Sequence, residues 1–278
     1  MNSVSKVFAA LAIIGLLTSC GGGGGGGGSP TSSGPSTTTI NGVALDGYLY
    51  NASVFLDLNG NGQFDGGEPN GTTNSNGGYT LNATQDQLNS HSVIVFAQAG
   101  VTVDQDNPNT PITSAMTLIA PAGAPTVVSP ITTHVAAKMA TGLTLDQAKA
   151  ATQTELGISS SEVLSDFLSS SGSGSDAHKV ATAIAEVLKS VESSSNSSTS
   201  VAAKLSAIGS QVSSKVTNNL SAIKQASSAA EAKQIFQNVN QASNIYSVGG
   251  TISGLGASGL VLTNGLSTVR PSASSTTF

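Results

Sequence analysis

Between residues 40 and 128 the apolar positions come in short runs: Ser53-Val54-Phe55-Leu56, Gly78-Tyr79-Thr80-Leu81, Ser92-Val93-Ile94-Val95-Phe96 and Met116-Thr117-Leu118-Ile119. Clusters of Gly, Asn, Asp and Pro separate them at short, regular intervals, which is how strands joined by turns read. This spacing predicts a small β-sandwich over 40–128. After Ser129-Pro130, a helix N-cap and first-turn pair, a longer period takes over. Thr144-x-x-Gln147 and Ser159-x-x-Glu162 have the form of capping boxes, and Gly157 stands between them where a helix C-terminal glycine belongs. Val180, Ile184, Val187, Leu188 and Val191 form one helical stripe. Val201, Leu205, Ile208, Val212, Val216, Leu220 and Ile223 form a second, and Ile235, Phe236 and Val239 mark a last short helix. The stripes predict the buried seams of a small helical bundle over 129–242, with linkers at 169–175 and 193–200. Strand character returns after Ser247, where Leu260–Thr263 and Leu266–Val269 flank Asn264-Gly265, a strong hairpin signal. The tail, 243–278, is therefore expected to be β-rich, in the form of a shortened repeat. The predicted fold class is multidomain, β then α.

Upstream of residue 40 the pattern is of another kind. Lys6 precedes an apolar run, Val7–Leu17, long enough for a signal-peptide core and too short to span a bilayer. Leu17-Thr18-Ser19-Cys20 then resembles the lipobox of bacterial lipoproteins. The resemblance implies that 1–19 is removed as a signal peptide, that the Cys20 thiol is diacylated, and that the new N-terminus is acylated. Several acyl chains anchor stably where one is marginal. Gly21, rather than Asp, after the cysteine favours the outer membrane by the bacterial sorting pattern. The rest of 20–39 runs through Gly21–Gly28 and then Ser29–Thr39 with Pro30 and Pro35, and reads as a flexible tether. Cys20 is the single cysteine, so no disulfide is available, and stability must come from packing and from metal.

Charge is unevenly placed. From Ile40 to Val128 the ionisable residues are Asp46, Asp57, Asp65, Glu68, Asp86, Asp104 and Asp106, with no Lys or Arg. From Ser129 to Ala242 acids and lysines balance. An all-acidic first region argues against nucleic acid or anionic lipid, either of which needs basic residues against phosphate. It suits a cation.

The candidate chemistry lies in Asp57-Leu58-Asn59-Gly60-Asn61-Gly62-Gln63-Phe64-Asp65-Gly66-Gly67-Glu68, which fits the calcium-loop pattern D-x-[DN]-x-[DN]-G-x₅-E at every fixed position. Calcium takes six to eight oxygens. Asp57, Asn59 and Asn61 supply side-chain oxygens, Gln63 its carbonyl, and Asp65 binds directly or through water. Glu68 closes the site with both carboxylate oxygens, while Gly62 permits the sharp turn. The flanks depart from an EF-hand: Ser53–Leu56 is strand-like, and Pro69-Asn70-Gly71 forbids an exit helix. Without that helix there is no groove-opening switch, so the expected role is a structural calcium site of modest affinity on a β-scaffold. The competing reading is a metal-free polar hairpin loop. Asp104 and Asp106 read as an acidic surface turn.

Val54-Phe55-Leu56-Asp57 through Glu68, followed by Thr72-Thr73-Asn74-Ser75-Asn76-Gly77-Gly78-Tyr79-Thr80-Leu81, resembles the B-type calcium-binding modules of serine-aspartate-repeat surface proteins. It is also similar to carboxypeptidase-regulatory-like domains. The resemblance covers roughly 40–100 and implies an immunoglobulin-like β-sandwich used as a stalk or spacer. Asn74 stands where many such modules carry Asp. Ser129–Val135 and the helices after it resemble a segment that follows this sandwich in Gram-negative surface lipoproteins, and Gly249–Leu260 resembles the start of a further β-repeat.

Other signals fall away on chemistry. Gly254-Leu255-Gly256-Ala257-Ser258-Gly259 has the GxGxxG spacing, but no Asp or Glu follows Glu231 to hold a ribose. His91, His134 and His178 are far apart, and the latter two read as surface or capping residues near helix starts. The combined expectation is a non-enzymatic, lipid-anchored outer-membrane lipoprotein facing the periplasm or the cell surface. Its expected work is structural, display or adhesion, with an extracellular polymer as partner. The alternative is an accessory subunit binding another envelope protein or enzyme through the helical half, and a hydrolase fragment is a weaker third reading.

Overall fold

The computed structural model describes residues 36–172, 174–242, 250–263 and 268–277. Cys20, the apolar run before it and most of the tether lie outside them. The described residues from Thr37 onward group into one compact unit. Each apolar run of the first region becomes a strand. The elements there are β1 (Thr38–Ala44), β2 (Leu49–Tyr50), β3 (Ser53–Asp57), β4 (Asn70–Thr72), β5 (Gly78–Ala83), helix α1 (Gln85–Ser90), β6 (Ser92–Ala97), β7 (Val103–Asp104), β8 (Met116–Ala120) and β9 (Val127–Val128). Four of them form an antiparallel sheet in the order β4-β3-β6-β8. A second sheet is β5-β1-β9, in which β1 pairs antiparallel with β5 and parallel with β9, and β2 pairs with β7.

The expected immunoglobulin-like sandwich is not formed. Among the described residues the fold is mixed α/β, with helix at about 39% outweighing strand at about 20%, and the first region shows no clear sandwich. The reason lies in the burial of the two central strands. A sandwich strand alternates a buried with a solvated face, and β5 does so: Tyr79, Leu81 and Ala83 are buried while Thr80 and Asn82 are exposed. In β3 and β6 both faces are covered. Val54, Leu56, Val93 and Val95 are buried on one side, and Phe55 and Ile94 on the other. At about 1.5–3 kcal/mol for each large apolar side chain fully buried, covering the second face is a major part of the stabilisation.

On that side Phe64 of the following loop leans on Phe55, a Cβ on Gly62 would lie 4.0 Å from Ile94 Cδ1, and the β8 end packs against helices. The helices are α2 (Pro130–Met139), α3 (Leu145–Leu156), α4 (Phe167–Ser171), α5 (Asp176–Ser194), α6 (Val201–Gln211), α7 (Leu220–Gln225) and α8 (Ala229–Ala242). Helix α2 follows β9 directly, capped by Ser129, whose side chain accepts from Thr132 N–H. It also closes the free edge of β8. Ile119 N–H donates to Thr133 Oγ1 at 2.8 Å and Thr132 Oγ1 donates to Ile119 O at 3.0 Å, so the edge strand cannot pair elsewhere. One hydrophobic cluster runs from Leu45 and Phe55 through Ile131 and Val135 to Ile184, Ile208 and Phe236. Helices and strands thus share a core, and the helices are not a bundle standing apart from a sandwich.

Details of the helical region follow local chemistry with two exceptions. Thr144 and Gln147 form the capping box of α3, which ends at Gly157 with φ 58°, a left-handed conformation that glycine adopts without strain. Ser159 and Glu162 do make their bonds, with Ser159 N–H donating to Glu162 Oε2 at 2.9 Å. They close a turn, and the next helix waits for Asp166, which caps α4. The long stripe from Val201 to Ile223 stays buried on one side, but its winding changes to a π turn at Val212–Val216 and a 3₁₀ turn at Thr217–Asn219. The last helix, α8, is longer than its apolar residues suggested. In the tail Leu262 pairs with Val269 and Thr263 with Thr268. The Asn264-Gly265 turn expected between them lies outside the described residues. No helix among the described residues is long and apolar enough to cross a membrane.

Candidate metal centre and its surroundings

The calcium-pattern loop joins β3 to β4, and the two strands pair through Ser53–Thr72, Val54–Gly71 and Phe55–Asn70. Asp57 is the last residue of β3, and Glu68 is fixed by Pro69, whose carbonyl accepts from Leu56 N–H at 2.9 Å. The ends of the twelve-residue pattern are therefore held by strand pairing on a hairpin scaffold.

Inside the loop the two buried carboxylates accept from backbone donors. Asp57, only 4% exposed, accepts from Gly60 N–H at 2.8 Å and Asn61 N–H at 3.1 Å on Oδ1, and from Gly62 N–H at 2.8 Å on Oδ2. Glu68, 6% exposed, accepts from Leu58 N–H at 2.8 Å on Oε1 and from Asp65 N–H at 3.0 Å on Oε2. Asn59 Oδ1 and Asn61 Oδ1 accept from Asn61 and Gln63 N–H, at 3.0 and 2.7 Å. Gly60 and Gly62 have φ near 75°, which lets the backbone turn its N–H groups inward.

Asp65 completes the centre. The side-chain amides of Asn59 and Asn61 both donate to its Oδ2, at 2.8 and 2.7 Å. These bonds hold the Asp65 carboxyl below its ordinary range, with burial a smaller opposing effect. Asp57, Asn59, Asn61, Asp65 and Glu68 are thus brought together. Gln63 instead sends its side chain outward, its Nε2 donating to Ser197 O at 3.0 Å.

The donor set fits a hard cation in type. A carboxylate offers about four lone-pair sites, and Asp57 and Glu68 use three and two of theirs on N–H groups. The two Asn amides currently turn N–H toward Asp65, doing the neutralising work that a cation would do. For calcium to sit there both amides must rotate to present Oδ1, exchanging their bonds to Asn61 and Gln63 N–H for metal contacts. Among the described residues no three His, Cys, Asp or Glu side chains, Asp57, Asp65 and Glu68 included, form a group that could hold a metal.

Two further polar clusters escaped the sequence pattern. His134 and His178, expected at the surface or as caps, are buried. His134 Nε2 lies 3.0 Å from Glu155 Oε2, and Glu155 also takes Lys138 and, at 2.5 Å, Ser213 Oγ from the π turn. Burial would raise Glu155, but His134, Lys138 and Ser213 outweigh it and hold it well below the carboxylate range. This carboxylate ties α2, α3 and the π turn together.

The second cluster sits where the strand region meets α5. Asp46, Asp104 and Asp106 face His178 and Lys189: His178 Nε2 lies 2.8 Å from Asp106 Oδ2, and Lys189 Nζ lies 4.0 Å from Asp46 Oδ2. Gly47 makes the approach possible, since a Cβ there would lie 2.1 Å from Asp104 Oδ1 and 2.8 Å from Asp106 N. Asp46 is 2% exposed, and its Oδ1 finds no hydrogen-bond partner among the described residues. Burial first, and Asp104 second, push its carboxyl up to about 7 against the pull of Lys189. The sequence signal was the D-x-D of Asp104 and Asp106, but neither Asp46 nor Lys189 is marked as its neighbour by spacing.

No protein-family model matches this chain, and no curated protein or solved structure matches it either.

Proposed function

We propose that this chain is a lipid-anchored protein of the outer membrane whose described part is a non-enzymatic display or adhesion module with a calcium-stabilised loop. The observation that carries the reading is the loop itself. A full twelve-residue calcium pattern has its first and last carboxylates, Asp57 and Glu68, buried side by side on a hairpin. Extracellular calcium can replace the loop's amide donors and tighten it without opening a groove, which suits a rigid spacer more than a sensor. The anchor rests on Leu17-Thr18-Ser19-Cys20. The all-acidic run from Ile40 to Val128 favours a neutral or cationic surface as the thing displayed to, an extracellular polymer before nucleic acid.

The test has two parts. Cells fed labelled palmitate should incorporate it into the wild-type protein and not into Cys20→Ser; labelling that survives the substitution removes the anchor. Calcium at extracellular concentrations should raise the melting temperature of the wild type, and Glu68→Gln should abolish the rise. An equal rise in Glu68→Gln, or none in either, returns the loop to a metal-free turn.

A further inference from the structure

Beside the candidate metal loop lies a cavity of about 420 Å³ with three separate walls. Its floor is the second face of the four-stranded sheet, where Phe55, Ile94 and Ile119 stand in register and Phe96 lies on the next row with Ser53 and Thr117. One side is the loop segment Asn61–Phe64, and the other is the link between α5 and α6. The loop is fastened across the gap: Gln63 Nε2 donates to Ser197 O at 3.0 Å, and a Cβ on Gly62 would lie 2.3 Å from Val201 Cγ2.

The lining defines the chemistry of an occupant. The chain has seven Phe, and three of them, Phe55, Phe64 and Phe96, meet at this cavity. Phe64 leaves 53% of its surface in water while its ring leans on Phe55 at a centroid distance of 5.9 Å. An aromatic half in water at the mouth of an apolar cavity gains by meeting another ring. The charged side chains on the wall cancel. Lys204 Nζ donates to both oxygens of Glu192 at 3.0 Å, and Thr117 Oγ1 donates to Glu192 Oε2 at 2.8 Å. A charged ligand would find no free counter-charge there, whereas the side-chain amide N–H groups of Asn196 on the lining can donate to a neutral polar group.

We infer that this cavity is a binding site for a small, uncharged, ring-bearing apolar molecule, with the candidate calcium loop as one of its walls. The link to calcium rests on the reading proposed above. Since Asn61–Phe64 belongs to both sites, calcium and ligand should raise each other's affinity.

N-phenyl-1-naphthylamine, an uncharged aromatic dye that brightens in apolar surroundings, is a suitable probe. The full chain carrying Cys20→Ser keeps acyl groups, and with them detergent, out of the measurement. Dye fluorescence should saturate at one equivalent. Phe64→Ala, at a half-exposed position that leaves the fold intact by circular dichroism, should weaken binding about tenfold, while Phe64→Tyr should bind as the parent does. Calcium should tighten binding in the parent and not in Glu68→Gln. Non-saturable brightening, or equal affinity in Phe64→Ala, overturns the cavity as a site. Saturable, Phe64-dependent binding that ignores calcium upholds the cavity and overturns the calcium reading. A calcium-dependent rise in melting temperature without dye binding does the reverse.

Discussion

Asp57 and Asp46 are acids of the same strand-rich region, 4% and 2% exposed, and they are kept in opposite ways. Asp57 accepts three backbone N–H groups from the loop it opens. Asp46 has an oxygen without a hydrogen-bond partner among the described residues, two further acids beside it, and Lys189 only at 4.0 Å. The difference teaches where a buried charge is cheap. A loop whose glycines aim N–H groups inward compensates a carboxylate locally and within a few residues of chain. A carboxylate at the meeting of two regions depends on side chains delivered from far along the sequence, and here the delivery is incomplete. The first arrangement compensates its charge as it stands. The second is pushed toward the protonated form by burial and by its acidic neighbours.

The largest break in this comparison should come from Asp57→Ala. It leaves the N–H groups of Gly60, Asn61 and Gly62 without their acceptor, and losing bonds to a charged group costs about 2–4 kcal/mol in total. Urea unfolding reads the loss, and a change within error would mean that the loop is not tied to the fold. Asp46→Asn should act in the opposite direction. The folded-state value of about 7 lies above the unfolded 3.8, so the folded chain holds a proton that the unfolded chain releases between them. The contribution is full below pH 4, falls as pH rises, and is gone above 7. Replacing the carboxyl by an amide should therefore leave stability near wild type below pH 4 and raise it by about 1–3 kcal/mol at pH 8. Lys189 keeps Glu186 at 2.9 Å, so it is not stranded by the change. Melting curves at the two pH values decide, and a loss of stability at pH 8 would show that the Lys189 attraction dominates. The smallest effect belongs to Gln63→Ala. It removes one exposed bond to Ser197 O and should cost less than about 0.5 kcal/mol, sharpening the view that the loop is held from inside.

How much of this was legible in the sequence follows the same division. The runs at Ser53–Leu56, Gly78–Leu81, Ser92–Phe96 and Met116–Ile119 became β3, β5, β6 and β8, because a strand's burial is written in its own residues. The loop was legible for the same reason, its carboxylates, amides and glycines all lying within Asp57–Glu68. The sandwich was misread from those same runs. Val93-Ile94-Val95 is continuous rather than alternating, which is the mark of a strand covered on both faces, while Gly78–Ala83 alternates as a one-sided strand does.

Local order was thus determined by the sequence itself: strand and helix periods, the caps at Ser129 and Thr144, the left-handed Gly157, and a loop whose backbone N–H groups bond its own buried carboxylates. These depend on contacts within a few residues, where backbone sterics and hydrogen bonding act without help. Only the tertiary structure decided that the Asn61–Phe64 loop and the helices against β8 cover the second sheet face, that His134 and His178 are buried, and that Asp46 meets Asp104, Asp106 and Lys189. It also decided that the Asp57–Glu68 loop walls a cavity with the α5–α6 link. Those outcomes turn on which apolar surface each face finds across the core, and burial is non-directional, so no short stretch of sequence specifies its partner.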